Sequence, residues 1–213
     1  MKRFLACLLT LCLMLTLCPA CAETAETDET EEAAEAAEAA EATEATEDEA
    51  HGAATNPYTF QAMDATINLP AGVTVTGETE TDTSVTITLT MDGRTDVGLT
   101  LAIGYVDAYA DYTAATLPDD LFQQLSDYYS QNFKSDNPPE KGEADDEAFA
   151  DVMPITASGT GADGNFYAIF IMILNGWTLT VSGGIAAKEF DYESYGMVYN
   201  LYWQGVDMFL EME

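Results

Sequence analysis

The side chains best placed to do chemistry in this chain are carboxylates. Asp107, Asp111, Asp145, Asp146 and Asp151 are available, and two acids facing each other across a cleft would supply the acid and the base or nucleophile of a glycan hydrolase. With 38 Asp and Glu among 213 residues, however, neighbouring acids arise by chance, and no spacing sets any two of these against each other. Glu143, Asp145, Asp146 and Glu147 form a denser group. They lack the D-x-[DN]-x-[DN]-G order that wraps a calcium ion, so the sequence reads them as hydrated. His51 is the sole histidine and lies in a polar spacer. Without a second His or a Cys it builds neither a zinc site nor a Ser-His relay. With no nucleophile–base pair, phosphate-cradling glycine loop or ligand cluster, the sequence assigns no catalytic residue, no cofactor and no metal, and the expectation is a protein that is not an enzyme.

Aromatic residues offer the other kind of site, a platform for a sugar ring or an apolar partner. Tyr105, Tyr109 and Tyr112 lie in "YVDAYADY", where a strand end passes into a loop. Exposed aromatics there would be informative, so Tyr109 and Tyr112 are the candidate partner surface. Tyr128, Tyr129 and the series from Tyr192 to Trp203 recur at helical spacing, which predicts core packing.

The ends of the chain say where it goes. Lys2 and Arg3 precede an apolar run from Phe4 to Leu17 and then small residues, the pattern of a secretory signal peptide over residues 1–22. The apolar run is too short to span a membrane and is followed by acids, so no transmembrane helix is expected in the mature chain. Ala20-Cys21-Ala22 is an A-x-A cleavage site; alternatively, Cys21 after Pro19-Ala20 loosely resembles a lipoprotein box and is the candidate lipidation site. Cys7, Cys12, Cys18 and Cys21 are all the cysteines, so cleavage after Ala22 leaves no thiol for a disulfide or a metal. Cleavage also removes two bases and no acid, taking the formal net charge from −32 to −34. Such a chain repels nucleic acid and anionic membrane faces and favours cationic ligands. The expected location is secreted or cell-surface, and the expected partner is an envelope or extracellular protein, a glycan or a cationic ligand.

From residue 23 to residue 55 runs an acidic Glu/Ala/Thr-rich spacer, with thirteen acids and no base between Glu23 and Ala50. Glutamates recur there every third residue from Glu32 to Glu47, short of the 3.6-residue turn, so they spiral around any helix and leave no apolar face. Lacking Leu, Ile, Val and aromatics, the segment cannot offset its own ordering and is expected to be a disordered spacer reaching about 30 Å as coil.

Residues 56–213 are apolar-rich and of a size to form one globular domain. Ser84 to Met91 alternates strictly, with Val85, Ile87, Leu89 and Met91 opposite Thr86, Thr88 and Thr90, which predicts a half-buried strand. Asp92-Gly93 turns it into a second alternating run through Val97, Leu99, Leu101 and Ile103. "FYAIFIMIL" is apolar on both faces and predicts a central strand, with Asn175-Gly176 turning it into "WTLTV". Helices are predicted from Pro118 to about Phe133 and from about Phe190 to Leu210, and Ser135 to Glu147 reads as a solvated acidic loop. A mainly antiparallel sheet with packed helices is an α+β, α/β/α sandwich-like fold.

The order "YTF…INLPAGV", a long hairpin, a helix after "LPDDLFQQL", "FYAIFIMILNGWTLTV" and a closing helix resembles the PsbP-like/DcrB-like α/β/α sandwich family of exported bacterial proteins. The resemblance spans nearly all of residues 57–211 and implies a non-enzymatic binding or assembly protein. The alternatives are a lipid-anchored accessory protein of an envelope complex and a carboxylate-pair glycan hydrolase. No functional residue of the family carries across.

Overall fold

The computed structural model describes residues 54–212 apart from 62, 82, 145, 146 and 187–190. The expected signal peptide, Cys21, the acidic stretch to Ala50 and His51 lie outside the described residues. In chain order the elements are β1 (Ala54–Phe60), β2 (Ala65–Pro70), β3 (Val73–Thr81), β4 (Ser84–Met91), β5 (Arg94–Tyr105), a 3-10 turn (Asp107–Tyr109), α1 (Asp119–Asn132), β6 (Lys134–Lys141), a second 3-10 turn (Glu147–Val152), β7 (Ile155–Thr160), β8 (Phe166–Leu174), β9 (Trp177–Ile185) and α2 (Tyr192–Met212).

Alternating side chains make the strands, and turn chemistry joins them. β4 buries Val85, Ile87, Leu89 and Met91 on one face and leaves Thr88 and Thr90 half-buried on the other. Gly93 takes φ +74° in the turn to β5, and Asn175 and Gly176 both take positive φ in the turn from β8 to β9, the backbone a tight hairpin needs. The result is one seven-stranded sheet ordered β3-β4-β5-β9-β8-β7-β6. All its pairings are antiparallel. Two meanders meet at its centre, where Val97 to Tyr105 pairs with Ile185 to Trp177.

Each face of the sheet has its own core. On one side the β1–β2 hairpin and α2 close over Ile87, Leu99, Leu101, Phe170, Met172 and Val181. On the other, α1 and the segment around Tyr109 close over Ile155, Tyr167, Ile169, Ile171 and Ile173. β8 therefore contributes to both cores, as its unbroken apolar run predicts. The β1–β2 hairpin stands apart from the main sheet as a two-stranded sheet.

Two local expectations are corrected. Residues 135–141 of the predicted loop belong, with Lys134, to edge strand β6, which pairs with β7 through two register irregularities. Pro138 and Pro139 donate no hydrogen bond, so they read as loop, yet an edge strand needs partners on one side only. Lys141 ties this strand to the α1 side, donating to the Leu117 carbonyl at 2.7 Å and lying 5.2 Å from the Phe122 ring centroid. The sequence also suggests that a second set of strands starts near Phe149, but Phe149 lies in the 3-10 turn before β7.

Candidate functional site

α2 is built to hold its inner face rigidly, and that places its aromatic shoulder. Val198, Leu201, Tyr202, Val206 and Phe209 are buried against the sheet. The Tyr202 hydroxyl donates to the Val152 carbonyl and so fastens the second 3-10 turn to the helix. At the start of α2, Asp191 accepts from the Ser194 backbone N–H at 2.7 Å, an N-cap bond that satisfies a free donor of the first turn. Arg94 at the start of β5 reaches the same region: its guanidinium lies 2.7 Å from Asp191, 2.9 Å from Asp96 and 3.4 Å from Glu193. Its hydrogen bond and the Ser194 N–H hold the Asp191 carboxyl down at about 2, and Arg94 also lowers Asp96.

The shoulder of α2 beside the buried face carries Tyr192, Tyr195, Tyr199 and Trp203, three or four residues apart. Tyr192 is 98% exposed, Tyr195 46% and Tyr199 40%, while Trp203 is half-buried. Phe149, exposed on the 3-10 turn, meets Trp203 edge-on at 6.1 Å, and Tyr199 meets Trp203 at the same distance. Tyr195 and Tyr199 rest on buried Phe170 at 5.6 and 6.1 Å. Burial and the neighbouring Tyr199 push the Tyr195 hydroxyl's pKa up, so it stays a neutral phenol. The outer side of the helix alongside carries the exposed acids Glu193, Asp207 and Glu211. The arrangement is an aromatic strip bordered by carboxylates, able to hold a cation over ring faces and pair it at the edge.

The sequence-predicted site residues fall differently. Tyr109 is buried in the α1 core, where loss of water raises its pKa, and Tyr112 is only half-exposed against the same core. The expected exposure is corrected for Tyr109: the 3-10 turn folds its ring under the loop, with Tyr109 N–H bonded to the Val106 carbonyl. Conversely, Tyr192, Tyr195 and Tyr199, expected in the core, are exposed. Helical spacing marks an aromatic stripe but does not say on which side of the buried face it falls. The candidate acids Asp107, Asp111 and Asp151 are all exposed. The segment of the first two packs on the α1 side of the sheet, while Val152 beside the third packs on the α2 side. Asp145 and Asp146 lie outside the described residues. Among the described residues no group of three or more His, Cys, Asp or Glu is arranged to hold a metal ion.

No family model matches the chain, and no curated protein matches it. Solved structures do. A protein from Bacteroides thetaiotaomicron is similar over 63% of this chain and 42% of its own, at 9% identity and a TM-score of 0.37. Against that protein the chain thus spans less than half the length. The solution structure of cyanobacterial PsbP from Synechocystis is similar over 74% of this chain and 92% of its own, at 14% identity and a TM-score of 0.44.

Proposed function

We propose that this protein is an exported, non-catalytic binding module that engages a cationic segment of an envelope or extracellular protein through the aromatic strip of α2. The observation that carries this reading is the row Tyr192, Tyr195, Tyr199, Trp203 and Phe149, with Tyr192 fully exposed, the other three partly exposed and Trp203 half-buried, bordered by Glu193, Asp207 and Glu211. Exposed aromatics in a row contribute apolar area and ring quadrupoles, and Lys or Arg side chains satisfy both those rings and the flanking carboxylates. The formal charge of −32 attracts such a partner from a distance and repels anionic ones. Export rests on the signal peptide, and no helix among the described residues is long and apolar enough to cross a membrane. Lipid attachment at Cys21 would make the residues between it and β1 a stalk that presents the module.

The test is titration of the full chain with an unstructured Lys/Arg-rich peptide, followed by calorimetry and by the aromatic NMR signals. Binding should weaken with salt and fall about ten-fold in Tyr192→Ala/Tyr199→Ala, since two aromatic–cation contacts are each worth about 0.5–1 kcal/mol at exposed sites. Equal binding by that variant would assign the affinity to the acidic stretch and reject the strip. Binding of a neutral oligosaccharide to the strip in preference to the peptide would also overturn the cationic reading.

A further inference from the structure

The seven-stranded sheet has two outer strands, β3 and β6, and the chain treats them differently. β6 carries Pro138 and Pro139 and two register irregularities, devices that keep another strand from adding to an edge. β3 carries no proline. Its one irregularity lies between Val75 and Gly77, where the Thr76 hydroxyl donates to the Thr88 carbonyl at 3.2 Å. From Gly77 to Thr81 it pairs residue for residue with Thr88 to Ser84, and Glu78, Thr79, Glu80 and Thr81 are all exposed. Alternate residues of an antiparallel strand turn both backbone groups away from their partner. This stretch therefore offers a row of N–H donors and C=O acceptors that no strand among the described residues takes up.

The side chains decide what fits there. Glu78 and Glu80 lie opposite Ile87 and Val85, on the α2 face of the sheet, and the Tyr58 hydroxyl donates to the Glu78 carboxylate and fixes its direction. Thr79 and Thr81 lie opposite Thr86 and Ser84 on the other face, which continues through Ala102 and Gly104 without a charge. An added strand thus meets a carboxylate at every second position and a small uncharged residue at the positions between. A second copy of β3 does not match this pattern: two-fold pairing about Thr79 would set glutamate against glutamate, between chains of formal charge −32 each. The same glutamates repel the acidic stretch before Ala50.

We propose that the outer edge of β3 binds an extended cationic segment of another protein as an eighth strand, with Lys or Arg at alternate positions beside Glu78 and Glu80, and Thr, Ser or Val between them beside Thr79 and Thr81. Main-chain hydrogen bonds supply the affinity and the alternation supplies the register. The site is separate from the aromatic strip and does not rest on it. Tyr195 and Tyr199 pack on Phe170 of β8, four strands from β3 in the sheet order.

Three Lys/Thr peptides of equal length and charge test this against the full-length chain. One alternates Lys with Thr, one carries the same residues in blocks, and one alternates but is N-methylated throughout, which removes the backbone donors and keeps the charge. Binding is followed by NMR and amide hydrogen exchange at Gly77 to Thr81. The alternating peptide should bind about ten-fold more tightly than either control and slow exchange at every second amide of that stretch. Glu78→Gln/Glu80→Gln should weaken it about five-fold, the worth of two cross-strand charge pairs. Tyr192→Ala/Tyr199→Ala should leave it unchanged, so a failure here and a failure of the α2 strip are told apart. Equal binding of all three peptides without protection of β3 would assign the affinity to the acidic stretch and overturn the proposal. So would protection of the same amides that appears without peptide and rises with protein concentration, which would make the occupant a second copy.

Discussion

Arg94 gathers Asp96, Asp191 and Glu193 around one guanidinium that is 22% exposed. The Asp191 carboxyl is lowered from 3.8 to about 2 by the Arg94 hydrogen bond together with the Ser194 N–H, and Asp96 is lowered by Arg94 too. A carboxyl with a depressed native pKa binds fewer protons when folded than when unfolded, so its stabilisation is present above the unfolded pKa. It is lost as pH falls through the folded value. Between about pH 4 and pH 2 the wild type should therefore lose stability relative to Arg94→Gln, whose Asp191 keeps only the Ser194 N–H and is lowered less. Both acids are nearly half exposed, and after solvent screening the gap should be on the order of 1 kcal/mol. Urea unfolding of the two proteins across that window measures it, and parallel curves would show that the cluster adds nothing. At this scale the sequence was poorly legible. Arg94 and Asp191 are 97 residues apart, and nothing in either neighbourhood announces the other. Tyr109 was misplaced for a related reason, since a tyrosine in a turn is exposed or buried according to which distant strand lies beneath it.

Helix α2 shows how an element is positioned by what it leaves out. A methyl group added at Gly205 would lie 2.5 Å from Leu179 Cδ2, whereas one at Gly196 would meet nothing within 4 Å. Glycine costs about 1 kcal/mol against alanine in a helix interior, so at Gly205 that cost is repaid by close approach to β9. Gly205→Ala should destabilise by about 1–3 kcal/mol through overpacking on fully buried Leu179. Gly196→Ala should stabilise by about 0.5–1 kcal/mol, and thermal melts of the pair check both signs against each other. Opposite signs would locate the closest helix–sheet contact; equal signs would refute it. Element existence was legible wherever periodicity was strong: β4 and β5 from their alternation, β8 from its double-sided apolar run, and both helices from their spacing. β6 was not, because two prolines and a row of polar residues imitate a loop when only one side of a strand is paired. The aromatic strip was legible as a stripe and illegible as a surface. Tyr202, Val206 and Phe209 turn inward at the same three- and four-residue steps by which Tyr192, Tyr195 and Tyr199 turn outward.

The whole molecule carries a formal charge of −32 on 213 residues, so self-repulsion opposes its compact form. Added monovalent salt should raise the melting temperature up to ionic strengths near 0.15 M, where the screening length falls to about 8 Å. The same salt should weaken any cationic partner, and a melting temperature that did not respond would mean that the acids are too well spread to interact. The sheet that resists this repulsion is made of two meanders, β3-β4-β5 and β9-β8-β7-β6, joined by the pairing of β5 with β9. Strand pairing within each meander is between neighbours in sequence, and the joint spans some 80 positions, the longest closure among the sheet's pairings. That seam makes the domain divisible. A chain opened after exposed Ala115 would yield two pieces, each with its own hairpins and each ending the sheet at one bare edge, with α2 of one piece shaped to cover the β1–β2 hairpin of the other. Mixed together, the halves should reassemble across β5 and β9, turning a folding step into an association whose rate rises with concentration.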